Sequence, residues 1–589
     1  MNQLYDVFLG TLVIKGKDGK LATTSASGVV NIKAENKRTP ANTRLRLKLM
    51  PYLVRSKEAA LAFPASIQVI FDLLFGTGGN TNAKLKTMAV QFIHAVVEHC
   101  PEQRITSCGG VLLSALNKLV SRTLSSKTSS ESTEDMTNAE KENAAKLRAS
   151  CYVAIGKLGL KMPQLVNKDI TIIQTFFEAM STEDKETQMS VQEALSMMAP
   201  AFKAMDSKNL KMIEALLATY IEKSEHQVRH VAVQYAGEVF PPSHTPSKFV
   251  LLLGAGDVKD EVRTEAKHHL YGPVQKASSG GADQAQVIKG QLLLPDFLEM
   301  AKLVIEKANL RIKTQQKVVI GSHALPFTAP VFVEVLNYLR MCLLYNAGVV
   351  PSLDMLRDAQ IEAPKIAQYL ADFVTSDESK RNTFKRLIEI NETFLMASQG
   401  TPQAQSLLQL MGCTVSNEWA SDFQPKMSWL KSLLNNTKED FREVVSQMYG
   451  LVASTFELGP AFINCIVELT RGFKDKQLEL QHGCVLALAY TFAPLLLKES
   501  SSKVLELGEY KESVEMLIKY LDQDSHALLM SASTLAIGEI GRCGPLKLES
   551  SEKEKLVKRL LEMVKSGKLP MKIRERAFKH GRTWVDLLD

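Results

Sequence analysis

The segment Val228–Leu270 reads VRHVAVQYAGEVFPPSHTPSKFVLLLGAGDVKDEVRTEAKHHL. Its first part places apolar side chains three or four positions apart, at Val228, Val231, Ala232, Tyr235, Ala236, Val239 and Phe240. This spacing predicts an amphipathic helix, because residues so spaced share one helix face. Pro241 and Pro242 end the helix, since proline lacks the N–H that the next turn needs.

A second and a third helix follow within the same segment. Phe249–Ala255 predicts a short apolar helix, and Asp257 is expected to cap the helix after it by accepting from free N–H groups. That third helix begins with Val262-Arg263 as the first begins with Val228-Arg229, and 262 − 228 = 34 residues. A helix pair that returns to the same phase after about 34 residues is typical of an α-solenoid.

The same local pattern recurs along the chain. A polar residue is followed by four residues, an apolar residue and a long, often basic, side chain. The pattern occurs at Asn80…Leu85-Lys86, Glu142…Leu147-Arg148, Asp184…Met189-Ser190, Lys223…Val228-Arg229, Asp257…Val262-Arg263, Asn436…Phe441-Arg442, Asp475…Leu480-Gln481 and Asp524…Leu529-Met530. Starts at 142, 184, 223 and 257 are 42, 39 and 34 residues apart, near the period of helix-pair repeats.

Each position of this pattern has a physical role. The polar starter is expected to satisfy free N–H groups at a helix N-terminus. The basic residue six positions later is expected to reach an acidic partner in a neighbouring repeat. A small residue four positions after the apolar one lets helices approach closely, and it is found at Ala89, Cys151, Ala232, Ala266, Cys484 and Ser533.

We therefore predict an all-α fold, a HEAT-type α-solenoid in which antiparallel helix pairs form a right-handed superhelix, with an irregular middle segment. The predicted divisions are a partial repeat at 1–36, a first HEAT array at 37–273 with a flexible Ser/Thr-rich insert at 121–141, a linker and irregular helical region at 274–421, a second HEAT array at 422–577, and a divergent tail at 578–589. The middle departs from the period and is rich in proline. It still predicts an apolar helix at Val331–Tyr345, and its segment KVVIGSHALPF is expected to be a strand or an extended passage.

Bulk properties favour some classes of protein over others. The chain has 589 residues and a formal net charge of +7. That charge is small for the length, and basic residues concentrate only at Lys37–Arg46 and Lys568–Lys579, so nucleic-acid binding is not indicated. No run of about 18 apolar residues predicts a membrane span, and MNQLYDVFLG lacks signal-peptide features. The cysteines are scattered singly, as is typical of reduced, buried thiols in an intracellular protein.

Three features resemble chemical sites without completing their patterns. The loop GTGGNTNAK lacks the spacing of a phosphate-binding loop and predicts a helix–helix turn. His268-His269 beside Glu265 are interpreted as solvated histidines at a helix end, because adjacent residues point about 100° apart. Another group could in principle surround a zinc ion: His94, His99, Cys100 and Cys108. A zinc site is not favoured there, because these residues lie on a predicted amphipathic helix and the loop after it. We predict no catalytic, cofactor-binding or metal-binding residue, no cofactor, and no enzyme.

One group of apolar residues has two interpretations. The methionines at 189, 197, 198, 205 and 212 indicate a pliable core. A Met-rich, peptide-binding surface is the alternative.

Several blocks of the sequence resemble a known family, the HEAT-repeat proteasome adapter and scaffold proteins of the Ecm-twenty-nine family. The blocks lie in order and include KRTPANTRLRLKLMPYLVRS (37–56), SVQEALSMMAPAF (190–202), QVRHVAVQYAGEVFPPSH (227–244), KFVLLLGAGDVKDEV (248–262), LRMCLLYNAGVVPS (339–352), WLKSLLNNTKED (429–440), ELQHGCVLALAYTF (479–492) and LAIGEIGRCGPL (535–546). The resemblance is to the N-terminal-to-middle portion of much longer proteins, so the chain is expected to be truncated at both ends.

The resemblance implies a non-catalytic adapter that binds the 26S proteasome and links its core and regulatory particles. It implies roles in proteasome quality control and in protein degradation, including ER-associated degradation. Endosomal, ER and motor proteins are implied as further partners. The implied location is the cytoplasm and the nucleus, with peripheral sites at the ER and endosomes. It carries over no individual binding residue.

Two other classes of protein remain open. One is a HEAT-repeat trafficking or transport adapter that binds other protein cargo, although the acidic inner loop of karyopherin-like receptors is not seen. The other is an accessory domain of an enzyme with a site that no local motif reveals.

Overall fold

The computed structural model describes residues 1–9, 40–76, 81–128, 137–168, 170–272, 294–314, 327–348, 377–398, 424–497, 501–522, 525–567 and 569–585, with a few isolated positions between 369 and 411. These residues form helices joined by turns, and no strand occurs among them. They divide into two compact units, residues 1–254 with 258–270, and residues 255–257 with 271–589. Each unit is described by itself.

The helices of the first unit are α1 (Asn2–Leu9), α2 (Thr43–Arg55), α3 (Lys57–Leu61), α4 (Ile67–Phe75), α5 (Ala83–His99), α6 (Glu102–Ile105), α7 (Gly109–Thr128), α8 (Asn138–Lys161), α9 (Thr171–Thr182), α10 (Lys185–Met198), α11 (Ser207–Tyr220), α12 (His226–Glu238), α13 (Thr245–Ala255) and α14 (Asp260–Tyr271). Short 3₁₀ turns follow α8 at Pro163–Leu165 and α10 at Ala199–Ala204. Helices α2, α5, α8, α10 and α12 pack successively on one another, and α4, α7, α9 and α11 flank them.

The second unit contains α15 (Phe297–Thr314), α16 (Ala329–Asn346), α17 (Glu378–Ser398), α18 (Met427–Leu433), α19 (Glu439–Ala453), α20 (Pro460–Gly472), α21 (Leu478–Leu496), α22 (Ser501–Glu506), α23 (Gly508–Lys519), α24 (Ala527–Cys543), α25 (Ser550–Lys565) and α26 (Met571–Val585). A 3₁₀ turn at Gln424–Lys426 leads into α18. Helices α19, α21, α24 and α26 pack successively on one another. We call such helices, in either unit, stacking helices. Their flanking partners are α18, α20, α23 and α25.

The segment that predicts the repeat folds as its spacing requires. All seven apolar residues of its first helix are buried, and α12 ends at Glu238, just before the two prolines. Helix α13 begins at Thr245, four residues earlier than predicted. Helix α14 begins at Asp260, so Asp257 lies too far back to be its N-cap and is itself buried.

Polar starters cap helices at some of the predicted places. Asp184 accepts a hydrogen bond from the N–H of Thr187 (3.0 Å) at the start of α10. Asn82 does the same for the N–H of Leu85 (2.8 Å) at the start of α5. The predicted cap of this helix, Asn80, lies outside the described residues. Helix α8 begins before the predicted Glu142, where Thr137 forms a capping box with Glu140.

The basic residue of the pattern reaches an acid of the next repeat in one case. Arg148 forms a bidentate pair with Glu183, from Nε to Oε1 (2.7 Å) and from Nη2 to Oε2 (2.9 Å). Both side chains are buried, and Glu183 lies directly after α9. This pair confirms the predicted acidic partner for Arg148, and it joins a stacking helix to the end of a flanking helix.

At three other positions the long side chain turns back to its own loop. It donates to the carbonyl of the residue six positions earlier, which is the starter of the pattern. These bonds run from Arg229 to Lys223 (2.9 Å), from Arg442 to Asn436 (2.6 Å) and from Gln481 to Asp475 (2.6 Å). A backbone carbonyl near the packed core needs a donor, so the side chain ties the connecting turn to the stacking helix. Arg263 pairs with Asp260 in the first turn of its own helix.

Small residues let the stacking helices cross closely, as predicted. Ala89, Cys151, Ala232, Ala266, Cys484 and Ser533 are all fully buried. Glycines add two closer crossings. A Cβ at Gly156 of α8 would lie 2.6 Å from Cα of Ala194 in α10, and one at Gly450 of α19 would lie 2.4 Å from the carbonyl carbon of Tyr490 in α21.

Three predicted boundaries need correction. The flexible insert at 121–141 is helical at both ends, because α7 continues to Thr128 and α8 begins at Asn138. In this part of α7, Ser121 donates to the carbonyl oxygen of Asn117 (3.0 Å) and Thr123 to that of Leu119 (2.9 Å). The predicted tail 578–589 is helical as far as Val585. Residues 129–136 and 586–589 lie outside the described residues.

The middle region contains more regular helix than predicted. The expected helix at Val331–Tyr345 is confirmed as α16, with Thr328 as its N-cap. Helices α15 and α17 lie in the same region and pack together. The expected break at 274–291 and the residues 317–326 of KVVIGSHALPF lie outside the described part of the chain.

The close crossing at Gly450 predicts a specific effect of one methyl group. Replacing Gly450 by Ala puts Cβ against the backbone of α21, which cannot rotate away, and overpacking of this kind costs about 1–3 kcal/mol. The three tryptophans at 419, 429 and 584 all lie in the second unit, so denaturation followed by tryptophan fluorescence measures its stability. We expect a lower midpoint for this variant.

Gly508→Ala is the matched control in the same unit. Gly508 is the first residue of α23, and nothing lies within 4 Å of a Cβ built there. Its substitution is expected to leave the midpoint unchanged or to raise it. Equal midpoints for both variants would contradict the close crossing.

Candidate interaction surface

The stacking helices of the first unit carry a row of polar contacts from one helix to the next. His94 of α5 donates from Nε2 to the carbonyl oxygen of Ser150 in α8 (2.9 Å). Ser196 of α10 donates to Oε1 of Gln234 in α12 (2.6 Å). Burial lowers the pKa of His94 below its ordinary value. These half-buried contacts link α5 to α8 and α10 to α12.

The second unit carries a denser charged cluster at the first turns of α19 and α26. Lys572 Nζ lies 2.7 Å from Glu439 Oε1. Arg576 Nη2 lies 3.1 Å from both carboxylate oxygens of Glu443, and its Nη1 donates to Ser531 of α24 (2.9 Å). The cluster therefore joins the first and the fourth stacking helices of this array, which are 133 residues apart in sequence.

A buried histidine lies beneath this charged cluster. His482 of α21 accepts at Nδ1 from Nε of Arg442 (3.3 Å), which places the imidazole proton on Nε2, 4.0 Å from Glu439 Oε1. Burial, together with the Arg442 cation, lowers the pKa of His482 to about 3. The imidazole is therefore neutral near pH 7. Its unprotonated nitrogen, Nδ1, already accepts a hydrogen bond from Arg442.

The histidines and cysteines considered as metal ligands do not form a metal site. Among the described residues, no group of three or more His, Cys, Asp or Glu side chains is arranged to hold a metal ion. His94 bonds to a carbonyl, His99 is exposed at the end of α5, and burial raises the pKa of the Cys100 thiol. The loop residues 77–80 lie outside the described part.

The paired histidines are not both solvated, which corrects that expectation. His268 is exposed, whereas His269 has a side chain only 16% exposed and its Nε2 lies 3.0 Å from Glu265 Oε1. The ring of His269 lies over Gly237, where an added Cβ would be 2.1 Å from the ring. A flat ring against a glycine lets α14 pack closely on α12.

The methionines are divided between core and surface. Met198 and Met205 are buried, as a pliable core requires, whereas Met189 is 67% exposed and Met212 is 46% exposed. Met189 also falls at the apolar position of the repeat pattern, so its exposure shows that α10 is rotated relative to that prediction. The pliable-core interpretation holds for part of this group only.

The buried thiols fit the expectation of reduced cysteines. Cys151 and Cys484 are fully buried, and burial raises the pKa of each thiol to about 12. A protonated, buried thiol is a poor nucleophile. Neither residue is placed for chemistry.

Sequence reasoning missed the charged cluster of the second unit. Its signal is nevertheless present, because Glu439 and Glu443 are four residues apart at the start of one stacking helix. Lys572 and Arg576 have the same spacing at the start of another. The two acids and the two bases therefore have matching spacing and opposite charge. Only the packing of the folded chain brings these two helices, 133 residues apart in sequence, into contact.

Two sequence models of one family match the chain. The model described as "Proteasome component ECM29, N-terminal" matches residues 1–254, and the model described as "ECM29, ARM-like repeats" matches residues 346–540. The chain belongs to the ECM29 family. The stacking and flanking helices on both sides of the middle region are thus the HEAT/ARM-type helical repeats of an ECM29 chain.

Two curated relatives carry the same family name. The human "Proteasome adapter and scaffold protein ECM29" is 37% identical over 607 residues, which covers 98% of this chain and 31% of the relative. The Drosophila melanogaster "Proteasome-associated protein ECM29 homolog" is 26% identical over 554 residues, covering 85% of this chain and 28% of the relative. The ECM29-family chain thus spans less than a third of the length of the relatives it matches.

Solved structures add little to this family assignment. A crystal structure of importin beta aligns with 94% of this chain and 65% of its own, at 13% identity and a TM-score of 0.29. A TM-score this low supports no argument about a transport function. No helix in the described part of this ECM29-family chain is long and apolar enough to cross a membrane.

The low pKa of His482 predicts a pH effect on stability. In the unfolded chain a histidine binds a proton near pH 6.5, whereas folded His482 does so only near pH 3. The unfolded state therefore binds more protons as the pH falls below 6.5, and folding stability falls. Between pH 7.5 and 5.5 this histidine accounts for a loss of about 1.4 kcal/mol.

Urea denaturation followed by tryptophan fluorescence at the two pH values measures this loss. His482→Gln keeps an acceptor for Arg442 but cannot be protonated, so its stability is expected to fall by about 1.4 kcal/mol less over the same interval. His526→Gln, at an exposed position of the same unit, is the control and is expected to behave as the unaltered chain. An identical pH response in all three proteins would show that His482 is not held neutral.

The bidentate pair of Arg576 and Glu443 predicts coupling between α26 and α19. Glu443→Arg and Arg576→Glu each place like charges together, and both are expected to lower the denaturation midpoint of the second unit. The double exchange restores opposite charges and is expected to regain about 1 kcal/mol relative to the sum of the single effects. Strictly additive effects would mean that the two helices do not meet in solution.

Proposed function

We propose that this chain is part of a non-catalytic adapter and scaffold that binds the 26S proteasome and links or stabilises its core and regulatory particles. The observation that carries the proposal is the 37% identity, over 98% of the chain, to a human protein named proteasome adapter and scaffold. Because the chain spans 31% of that relative, the proposal is that this portion contributes part of the binding surface.

The chemistry of the described side chains supports binding rather than catalysis. His482 is held neutral by its burial and by the Arg442 cation, and the charged cluster around it is internally paired. The buried thiol of Cys484 stays protonated. Stacked helix pairs present extended surfaces rather than enclosed pockets, and such surfaces suit an adapter between large particles.

The proposal extends to the cellular roles that the family resemblance implies. These are proteasome quality control, ER-associated degradation and contacts with ER, endosomal and motor proteins, in the cytoplasm and nucleus and at the periphery of ER and endosomes. Support for them is the resemblance alone. Proximity labelling from the chain in cells tests them, and labelling of proteasome subunits without ER or endosomal proteins would limit the proposal to the proteasome.

A capture experiment with purified components tests the central function. The immobilised chain is incubated with intact 26S proteasome, and separately with isolated core and regulatory particles. We expect the immobilised chain to retain the intact 26S proteasome. When the isolated core and regulatory particles are supplied together, we expect it to retain both. Quantitative mass spectrometry of the retained subunits gives the result.

The controls separate failure of this portion from failure of the assay. A full-length family protein is the positive control, and a designed helical-repeat protein of similar size and charge is the negative control. Retention by the full-length protein but not by this chain would contradict the proposal for this portion. Retention by the designed repeat would show that capture is non-specific.

A further inference from the structure

The first stacking helix, α2, has an exposed face with three cations and contains no acidic residue. Residues 40–57 contain no Asp or Glu. The side chains of Arg44, Lys48 and Arg55 are exposed, and within the described part of the chain no carboxylate pairs with any of them. In the same helix Arg46 is fully buried and paired with Asp72. The three exposed cations have no such role in the core and are available to a binding partner.

Two apolar side chains lie beside these cations. Tyr52 is 75% exposed and Leu45 is 40% exposed. At about 100° per residue, Arg44, Arg55 and Lys48 form one edge of the exposed face, and Tyr52 and Leu45 form the other, all within an arc of about 100°. Tyrosine and arginine are the residues that protein interfaces enrich at their centres.

The orientation of this face is fixed by the core beneath it. Arg46 donates to the carbonyl oxygens of Ala41 (2.6 Å) and Phe8 (2.8 Å), and its guanidinium lies 2.5 Å from Asp72. Met50 on the same side is fully buried. The apolar side of α2 is thus used inside the unit and cannot be inserted into a lipid bilayer.

We propose that this face binds an acidic protein segment that also carries apolar side chains. From Arg44 to Arg55 the helix rises about 16 Å, which an extended segment of about five residues spans. Carboxylates of the segment pair with the cationic edge, and its apolar side chains contact Tyr52 and Leu45. The pairing of a cationic edge with an apolar edge favours such a segment over a phosphate backbone, which offers charge without apolar side chains.

The chain itself does not supply this segment from its neighbouring sequence. Residues 10–39, between α1 and α2, contain six Lys or Arg residues and two acids, at Asp18 and Glu35. Their charge has the wrong sign to cover a cationic face. The inference goes beyond the proposed function, because it holds whether the acidic segment belongs to the proteasome or to another protein.

Fluorescence anisotropy with the complete chain tests the proposal. The probe is a short labelled peptide of Asp-Glu-Leu repeats, and comparison probes are its Asn-Gln-Leu counterpart, single-stranded poly-uridine and phosphatidylserine vesicles. The unaltered chain is expected to bind the acidic peptide and not the neutral one, with affinity that falls as salt rises. The triple substitution Arg44→Gln, Lys48→Gln, Arg55→Gln is expected to weaken binding about tenfold, as three exposed ion pairs imply.

Matched variants separate this face from general charge. Lys203→Gln, Lys208→Gln and Lys211→Gln remove the same charge from exposed positions of the same unit and are expected to leave binding unchanged. Tyr52→Ala is expected to weaken binding about threefold, while Tyr52→Phe keeps it. Each variant is checked for an unchanged thermal unfolding curve.

Several outcomes would overturn the proposal. These are absence of peptide binding by the unaltered chain, equal loss in the two triple variants, and no effect of Tyr52→Ala. Tighter binding of poly-uridine or vesicles than of the peptide, lost in the Arg44–Lys48–Arg55 variant, would assign the face to phosphate instead.

Discussion

The close crossing of successive stacking helices is the constraint on which the rest of each unit depends. At Gly156 and Gly450 the backbone of the next stacking helix occupies the place where a Cβ would lie. Fully buried Cys151 and Cys484 lie on the same helices as these glycines or on their neighbours. Helices that cross this closely exclude water from the polar groups between them, so a group left without a partner there costs free energy.

That requirement explains where the buried arginines point. Arg229 and Arg442 donate to carbonyls of the turns that precede their own helices, while Arg148 pairs with Glu183 beyond the flanking helix. Each side chain links a connecting turn or a flanking helix to the stack. The same logic leaves few charged groups available for chemistry, since His482 already accepts from Arg442 and Glu439 already pairs with Lys572.

Much of this fold follows from sequence, and the failures have physical causes. Helical spacing predicts α12 because a local apolar stripe determines which face is buried. The targets of Arg229 and Arg442 could not be predicted, since a backbone carbonyl has no signature in the sequence. The cluster of Arg576 and Glu443 depends on packing between helices 133 residues apart. Composition does not predict the extent of α7, because it does not reveal that Ser121 and Thr123 bond within the helix.

The buried polar groups of this chain hold its helices together, and we propose that its exposed faces bind partners, as suits a family named for the proteasome. Cross-linking mass spectrometry of the chain bound to intact 26S proteasome tests this most directly, because it records which faces meet which subunits. We expect cross-links from exposed lysines of the chain to subunits of both the core and the regulatory particle. Cross-links to neither particle, at saturating chain, would contradict it.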